Sequence, residues 1–201
     1  DSFARGVGDP EYKPPRCYSY ADALYERLKE YNTKLEIKKI SKGGITTKKF
    51  IANYLEKTTK FMKSHKGLIK LVTITIGKND FTGCSNSSKP NISVCLQRKL
   101  EKITYNLNNT IIPMLKKAGG KGVQYVATTY FNSFPDVDLL ADKLISVYME
   151  NGFKVVDLRN IITNDTVCNY TLWCNYNKRH PNVAGSRAIS NVLFSNLSVP
   201  L

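Results

Sequence analysis

Four short polar stretches contain the residue types that acyl transfer requires. Ser2 lies in the opening stretch "DSFARG", Gly44 in a glycine pair, Asn79 in "GKND" and His180 in "NKRHPN". Acyl transfer needs a nucleophile, a base beside it, and hydrogen-bond donors aimed at the developing oxyanion. Ser2 could be the nucleophile and His180 the base. The backbone N–H groups of Ser2 and Gly44, with the Asn79 side-chain amide, could be the donors.

Alternating strands and helices are predicted to position these residues. The stretches "KLEIKKIS", "GLIKLVTITIG", "GVQYVATTY" and "FKVVDL" have strand patterns, and helical patterns separate them. This alternation predicts a flavodoxin-like three-layer α/β/α sandwich with a mostly parallel sheet, formed by residues 1–201 as a single domain. Ligand sites in such sheets form at the carboxyl ends of the strands. Gly44, Asn79 and His180 all lie in segments that follow predicted strands.

Aromatic residues near the same edge of the sheet are candidates for substrate binding. Tyr130 and Phe131 follow the third predicted strand, and we expect them to form a substrate-facing wall, with ordinary packing as the alternative. Trp173 lies in the loop before His180 and is a further candidate. Packing within that loop is its simpler role.

The helical patterns predict which residues face the core. One stripe contains Ala21, Leu24, Leu28 and Tyr31, and a second runs along the long helix after the third cysteine. The members of the second stripe are Leu96, Leu100, Ile103, Leu107, Ile111 and Met114. A last helix is predicted to start near Pro181, because proline fits a first helical turn.

Cysteines and asparagines point to the secretory route. Cys84 and Cys95, and Cys168 and Cys174, form two pairs close in sequence, which we interpret as loop-stapling disulfides. Cys17 remains unpaired in this scheme. Six Asn-x-Ser/Thr acceptors occur, at Asn86, Asn91, Asn108, Asn164, Asn169 and Asn196. We therefore expect a secreted glycoprotein, and no run approaches the length that crosses a bilayer.

The positive charge is concentrated in one third of the chain. The formal net charge is +14, and residues 34–70 hold 11 lysines against Glu36 and Glu56. Such a field attracts anionic membranes or polysaccharides; a solvated lysine face is the alternative. Nucleic acid is not an expected partner, because no arginine and aromatic platform accompanies the lysines. Neither a zinc site nor any other metal site is predicted, because no Cys-x-x-Cys or Cys/His cluster appears.

The four stretches together resemble the SGNH (GDSL-type) serine hydrolases. The blocks are "DSFARG", "SKGGITT", "TIGKNDF" and "NKRHPNVAG", in the family's order and at its usual spacing. The stretches "RCYSYADAL" and "YVATTYFNSF" further resemble secreted fungal and actinobacterial members. The resemblance implies the nucleophile Ser2, the general base His180, an oxyanion hole of Ser2, Gly44 and Asn79, and no metal or organic cofactor.

Position 177 departs from the family pattern. The family usually has Asp three residues before the histidine, and this sequence has Asn177. In another serine hydrolase, Asp→Asn at the orienting position lowers the rate by about 10⁴. Two hypotheses follow: a Ser/His dyad in which a main-chain carbonyl near Asn177 accepts the His180 Nδ1–H, or a weak site.

The start of the sequence is a second departure. Relatives have a buried strand directly before the serine block, whereas the sequence given begins at Asp1. We expect a sheet without its first central strand, which upstream residues or a separate N-terminal fragment would supply. A strand edge left unpaired inside the protein would cost about 1–3 kcal/mol for each buried group.

Two functions are therefore predicted from the sequence. The first is a secreted serine esterase that cleaves carboxylic esters, either O-acyl groups on carbohydrate or lipid acyl chains, carried by a small molecule or a polymer. The second is a catalytically weak relative that binds anionic surfaces through its lysine-rich third.

Overall fold

The computed structural model describes residues 1–6, 17–84, 89–131 and 136–198, with the side chains of residues 89–91 excepted. The acceptor at Asn86, the side chain of Asn91 and the aromatic loop beyond Phe131 lie outside the described residues.

A parallel sheet lies at the centre of the fold. Its strands are β1 (Leu71–Ile74), β2 (Gln124–Thr128) and β3 (Lys154–Val156), in the order β1-β2-β3. Val72 pairs with Tyr125 and Val126 with Lys154. Residues 125–128 are buried, as expected for the middle strand of a covered parallel sheet. The predicted parallel α/β fold is confirmed, with a sheet of three strands in the described residues.

Ten α-helices, two π-helical turns and two 3₁₀ turns surround the sheet in the described residues. The helices are α1 (Ser2–Arg5), α2 (Tyr20–Lys29), α3 (Thr47–Phe50), α4 (Glu56–Ser64), α5 (Lys89–Asn106), α6 (Ile112–Gly119), α7 (Val137–Glu150), α8 (Val167–Tyr170), α9 (Trp173–Tyr176) and α10 (Val183–Ser195). Two π-helical turns, Ile51–Leu55 and Leu107–Ile111, join α3 to α4 and α5 to α6. Two 3₁₀ turns, Lys78–Phe81 and Leu158–Asn160, follow β1 and β3.

The helices pack in two groups. Helix α2 packs on α10, while α4 packs on α6 and α5 on α7. A chain of buried hydroxyl groups fixes α2 to the sheet: Tyr20 Oη lies 2.6 Å from Thr75 Oγ1, which lies 2.6 Å from Thr128 Oγ1. Thr75 directly follows β1, and Thr128 ends β2. These bonds lie below the carboxyl ends of the two strands, where the site residues were predicted.

Two residues of the predicted core stripes are exposed. Met114 is 39% exposed, while its neighbour Leu115 is buried. The cause is the π turn Leu107–Ile111, because a π turn has one more residue than an α-helical turn and moves the buried face by one position. Tyr31 is 66% exposed because α2 ends at Lys29, before this residue can join the stripe.

The predicted strand "KLEIKKIS" is not a strand in the structure. Residues 35–40 have no regular secondary structure. Within the described residues they have no neighbouring strand, and a strand needs a ladder of hydrogen bonds to a partner. Lys39 Nζ instead donates to Asp22 and to the Cys17 carbonyl oxygen. The expected first central strand stays a prediction.

Both predicted disulfides form. Cys84 bonds to Cys95 and ties the loop after β1 to α5, and Cys168 bonds to Cys174 between α8 and α9. Cys17 is a half-buried free cysteine. None of the helices in the described ranges is long and apolar enough to cross a membrane.

Candidate active site

Ser2 is the first residue of the short helix α1; a side chain caps the start of that helix, and close backbone packing surrounds its end. Asp1 precedes it as the N-cap, and its Oδ1 accepts a hydrogen bond from the Phe3 N–H at 3.0 Å. Gly6 ends α1 with φ +77°, and a Cβ there would lie 1.9 Å from the Tyr18 carbonyl oxygen. The turn that carries Ser2 is therefore locked in place, and Ser2 itself is half-buried.

Tyr130 connects the Ser2 turn to the ends of β1 and β2. Its hydroxyl donates to Asp1 Oδ2 at 2.6 Å and accepts from the Lys78 N–H at 3.3 Å. Burial raises the pKa of the Tyr130 phenol well above 10, so the hydroxyl stays a neutral donor. The backbone nitrogen of Asp1 also donates to the Thr75 carbonyl oxygen at 2.8 Å, directly after β1.

The Gly44 and Asn79 segments are joined by a second set of buried hydrogen bonds. Asn79 Nδ2 donates to the Ile45 carbonyl oxygen at 3.1 Å. The Asp80 carboxylate accepts from the Thr47 N–H at 2.8 Å and from the Thr47 hydroxyl at 2.6 Å. Asn106 Nδ2 donates to Thr47 Oγ1 at 2.8 Å. Burial raises the pKa of Asp80, and the bonds from Thr47 oppose that rise.

These bonds place the predicted oxyanion donors on a rigid support. An amide NH₂ has two donors, so the bond to Ile45 uses one of the two that Asn79 carries. Gly44 is exposed with φ +72°. The structure thus brings the Gly44 and Asn79 segments together, and their role as oxyanion donors stays a prediction.

Backbone contacts and a disulfide hold the loop that carries His180. Thr171 and Pro181 form an antiparallel bridge, and the Leu172 N–H donates to the His180 carbonyl oxygen at 3.0 Å. Asn182 Oδ1 accepts from the Gly185 N–H at 2.9 Å and caps α10. Helix α10 therefore begins after Pro181, which precedes the cap and does not form the first helical turn.

The His180 imidazole is held mainly by packing. It is half-buried, and its ring centroid lies 5.7 Å from that of Phe3 in an edge-to-face contact. Its Nδ1 is buried, with no hydrogen-bond partner among the described residues. Burial lowers the pKa of His180 below 6.5, and the charge of Lys178 lowers it further.

Asn177 does not orient this imidazole in the structure. It ends α9 in the left-handed conformation, with φ +50°, and its side chain is exposed. No main-chain carbonyl of the described residues accepts from His180 Nδ1 either. The main-chain hydrogen bond that the dyad hypothesis requires is thus absent from the described residues. No hydrogen bond joins Ser2 Oγ to the imidazole there, although such bonds often tighten only when substrate binds.

The aromatic residues after β2 differ from the expected substrate-facing wall. Tyr130 and Phe131 are completely buried, because Phe3 packs on both: its ring centroid lies 5.4 Å from Tyr130 and 5.3 Å from Phe131. They form the support beneath the Ser2 turn. Trp173 is half-buried, with the Arg179 guanidinium 4.7 Å from its ring centroid.

Three supporting residues were missed at the sequence level. Asp1 caps α1, while Thr47 and Asp80 connect the Gly44 and Asn79 segments. The role of Asp80 could have been predicted from the sequence. It follows Asn79 closely after a buried strand, and a buried carboxylate needs hydrogen-bond donors. The partnership of Thr47 with Asp80 gave no signal, because 33 residues separate them.

Comparison with solved structures identifies the fold. A candidate GDSL-like lipase from Parabacteroides merdae superposes with a TM-score of 0.70 at 14% identity, over 97% of this chain and 91% of that one. The lipase Lip_vut3 from a goat rumen metagenome gives 0.72 at 18% identity, over 97% and 93%. The extracellular lipase of Streptomyces rimosus gives 0.57 at 17%, over 96% of each chain.

The chain has the fold of the GDSL-like lipases. This confirms the fold that the four sequence blocks implied. No family model matches the chain, and no curated protein matches it. At such low identities the similarity establishes the architecture, and the activity follows only from an argument about the site.

Proposed function

We propose that this protein is a secreted serine esterase that hydrolyses carboxylic esters through an acyl-Ser2 intermediate. One observation carries the proposal: the Phe3 and His180 rings are in contact, so the Ser2 turn meets the His180 loop from the other end of the chain. The Asn79 segment joins them through the Tyr130 hydroxyl, which binds both Asp1 and the Lys78 backbone. These contacts support the proposal, because they hold Ser2, His180 and the Asn79 segment at the same edge of the sheet.

The proposed reaction has two steps. Neutral His180 accepts the proton of the Ser2 hydroxyl while Oγ attacks the ester carbonyl carbon, and the oxyanion accepts hydrogen bonds from Ser2 N–H, Gly44 N–H and Asn79 Nδ2. The intermediate collapses, and the departing alkoxide takes the proton from the imidazolium. His180 then takes a proton from a water molecule, which attacks the acyl carbon of the acyl-enzyme. The bond to Ser2 Oγ breaks as the imidazolium returns its proton to Oγ, which releases the acid and free Ser2.

The surroundings of His180 favour its role as a neutral base but do not stabilise the imidazolium that forms when it accepts a proton. Its lowered pKa keeps the imidazole neutral, and therefore basic, at pH 7. The partnerless Nδ1 means that no described carboxylate stabilises the imidazolium or fixes the tautomer. We therefore expect a slower esterase than one with a complete Ser-His-Asp triad.

Localisation outside the cell is part of the proposal. The two disulfides, the six glycosylation acceptors and the similarity in fold to an extracellular lipase support it. Disulfides persist in oxidising compartments and are rare in the cytosol.

A fluorophosphonate probe tests the assignment of Ser2 directly. We expect the native protein to gain one covalent adduct on Ser2, and Ser2→Ala and His180→Gln to gain none. The matched control is Ser64→Ala, because Ser64 is exposed on α4 and, among the described residues, its hydroxyl bonds only to the neighbouring Phe61 carbonyl oxygen and His65 Nδ1. Absence of labelling between neutral and alkaline pH, where His180 is uncharged, would contradict the esterase proposal.

A substrate panel then identifies the ester. It comprises p-nitrophenyl esters from acetate to palmitate, acetylated polysaccharides and phospholipids. If the native protein hydrolyses one of these groups of esters and Ser2→Ala does not, that group is the substrate class. Hydrolysis that survives in Ser2→Ala would place the activity elsewhere.

A binding function is the second candidate. His180 Nδ1 has no hydrogen-bond partner in the part of the chain that the structure describes, which favours this function. So do the exposed lysines along α3 and α4, which are Lys48, Lys49, Lys57, Lys60 and Lys63. A catalytically weak protein of this kind would attach to anionic membranes or polysaccharides through that face. Its signature would be vesicle binding that weakens steeply with salt, combined with no probe labelling of Ser2.

A further inference from the structure

A short disulfide ring lies next to the segment that carries His180. Cys168 in α8 bonds to Cys174 in α9, and this bond closes a ring over residues 168–174, which we call the disulfide ring. His180 follows the second cysteine closely in sequence. The proposed mechanism uses His180 as the base, and no step of it involves the disulfide ring.

The disulfide ring forms the backbone contacts of the His180 segment. The Leu172 N–H donates to the His180 carbonyl oxygen at 3.0 Å, and Thr171 forms an antiparallel bridge with Pro181. Thr171 and Leu172 are both buried, so these contacts are shielded from water. The ring is thus the template along which His180 and Pro181 lie.

Asn182 extends the same pairing beyond Pro181. Its N–H donates to the Tyr170 carbonyl oxygen at 3.0 Å, and its Nδ2 donates to the Asn169 carbonyl oxygen at 2.9 Å. Among the described residues, every hydrogen bond that His180 and Asn182 form outside α10 goes to the disulfide ring. The position of His180 therefore depends on the shape of the ring.

The two disulfides of the protein differ in their exposure to solvent. Cys168 and Cys174 are both exposed, whereas Cys84 is buried and Cys95 is half-buried. Disulfide exchange begins when a thiolate attacks a sulfur atom, so its rate depends on access, and exposed disulfides are the labile and regulatory ones. A small thiol should therefore reduce the ring disulfide before the Cys84–Cys95 disulfide.

We propose that the Cys168–Cys174 disulfide positions His180 and makes the esterase sensitive to thiols: the oxidised protein is active, and reduction of the ring lowers its activity. A covalent cross-link limits the conformations open to the loop that it closes. Without it, residues 169–172 gain conformational freedom, and His180 moves with them because its hydrogen bonds go to them. This inference rests on the proposed esterase function and names its regulation.

The reducing agent is a small thiol, and the reduction has two steps. A first thiolate attacks one ring sulfur and forms a mixed disulfide, and the displaced cysteine thiolate takes up the proton that this thiol lost. A second thiolate attacks the sulfur of the attached small thiol and displaces the other cysteine, which is protonated in the same way. Two electrons pass to the ring sulfurs, and the products are two cysteine thiols and one small disulfide.

Mild reduction with glutathione tests the proposal. The protein is incubated with increasing glutathione, its thiols are blocked with iodoacetamide, and excess reagents are removed before p-nitrophenyl acetate is added. Peptide mass spectrometry should locate newly blocked thiols at Cys168 and Cys174 while the Cys84–Cys95 disulfide stays intact. The kcat value should fall about tenfold or more with little change in KM, because a misplacement of about 1 Å can cost about a hundredfold in rate. Reduction of both disulfides at the same glutathione concentration would contradict the proposal.

Two variants separate the ring from the remaining cysteine. The double variant Cys168→Ser, Cys174→Ser should have the kcat of the reduced protein and should no longer respond to glutathione. Cys17→Ser is the matched control, because it removes the free cysteine, and it should respond as the native protein does. Oxidised glutathione, added before the thiols are blocked, should restore the native kcat. A native kcat in the double variant would overturn the proposal.

The imidazole signals distinguish a displaced base from general unfolding. The chain has two histidines, and His65 lies at the end of α4, where it stacks on Phe61. In the proton NMR spectrum, reduction should shift the imidazole Cε1–H signal of His180 and leave that of His65 in place. Shifts of both signals would show that the fold loosens as a whole and would overturn the positioning role.

The rate of Ser2 labelling by a fluorophosphonate probe keeps this proposal separate from the esterase proposal. Labelling should slow together with kcat when the ring is reduced. Equal labelling rates of the oxidised and reduced protein would overturn the sensitivity to thiols and leave the esterase proposal in place. Absence of labelling in both would reject the esterase, whereas a shift of the His180 signal on reduction would still support the positioning of this residue by the ring.

Discussion

The two halves of the candidate site are built differently. On the nucleophile side, buried carboxylates hold the loops: Asp1 binds the Phe3 N–H and the Tyr130 hydroxyl, and Asp80 binds Thr47 twice. On the base side, a disulfide and backbone hydrogen bonds hold the loop, but no described group bonds to His180 Nδ1. Among the described residues, fewer hydrogen bonds therefore fix the His180 imidazole than fix the Ser2 turn and the Asn79 segment.

This contrast explains how a proposed base without an orienting acceptor among the described residues can coexist with firmly held Ser2 and Asn79 segments. Charge-assisted hydrogen bonds to buried carboxylates are about twice as strong as neutral ones, so the nucleophile side resists distortion. The base side depends on the edge contact between Phe3 and His180. We therefore expect any loss of esterase rate to come from the His180 side and not from the proposed oxyanion donors.

The largest effect is expected from steric damage to the nucleophile side. Gly6→Ala should lower the free energy of unfolding by about 3 kcal/mol, because the new Cβ meets the Tyr18 carbonyl oxygen and φ is positive. Gly44→Ala is the matched control: its φ is also positive but nothing lies within 4 Å, so the loss should be about 1 kcal/mol. Urea unfolding measures both, and equal losses would show that the Ser2 turn is not locked.

The next effect tests the carboxylate that supports Asn79. Asp80→Asn should lower the free energy of unfolding by about 2 kcal/mol, because an amide cannot accept both bonds from Thr47 through equivalent oxygens. Ester hydrolysis should fall with it, since Asn79 is the adjacent residue. Asp142→Asn removes an exposed carboxylate that binds Arg159 and should change stability little. If both variants lose the same free energy of unfolding, the buried Asp80–Thr47 bonds stabilise the protein no more than an exposed ion pair does.

A smaller effect is expected on the base side. Asn177→Asp should raise kcat/KM by no more than about fivefold, because the side chain is exposed and a charge at about 4 Å in water contributes about 1 kcal/mol. Asn177→Ala, which adds no charge, should not raise it. A gain above about a hundredfold would mean that the aspartate completes a triad.

The smallest effect concerns pH. The acid limb of kcat/KM should lie below pH 6.5, because hydrolysis needs neutral His180 and burial and Lys178 lower its pKa. Lys178→Met removes a positive charge, so the His180 pKa should rise and the limb should move to higher pH by a few tenths of a unit. The matched control Lys143→Met changes an exposed lysine on α7 and should leave the pH profile of kcat/KM unchanged. An acid limb above pH 7 in the native protein would contradict the lowered pKa of His180.

The sequence predicted strands and loops well where local pattern decides the structure. The buried runs that became β1, β2 and β3 were identified because β-branched residues in short apolar runs favour strands. Both disulfides followed from close spacing of the cysteines. Residues 35–40 show the limit, because their alternation fits a strand but pairing depends on a neighbour that local pattern cannot reveal.

Local pattern also limited what the sequence could predict of the candidate site. Ser2, Asn79 and His180 carry recognisable chemistry, so their types and order identified the loops. The roles of Tyr130 and Asp1 depend on a hydrogen bond across 129 residues of sequence, which no local pattern encodes. From its aromatic side chain and position we predicted that Tyr130 contacts substrate. In the structure Tyr130 is completely buried and supports the Ser2 turn.

The paired π turns have a consequence for tolerance to deletions. Ile51–Leu55 and Leu107–Ile111 contact each other, so each helix carries its extra residue at the same crossing. Deleting one residue from either turn would restore an α-helix and rotate everything downstream by about 100°. In α6 that rotation would move Leu115 from the core to the surface. Single-residue deletions at this crossing should therefore be far more damaging than deletions in the exposed segment 36–38.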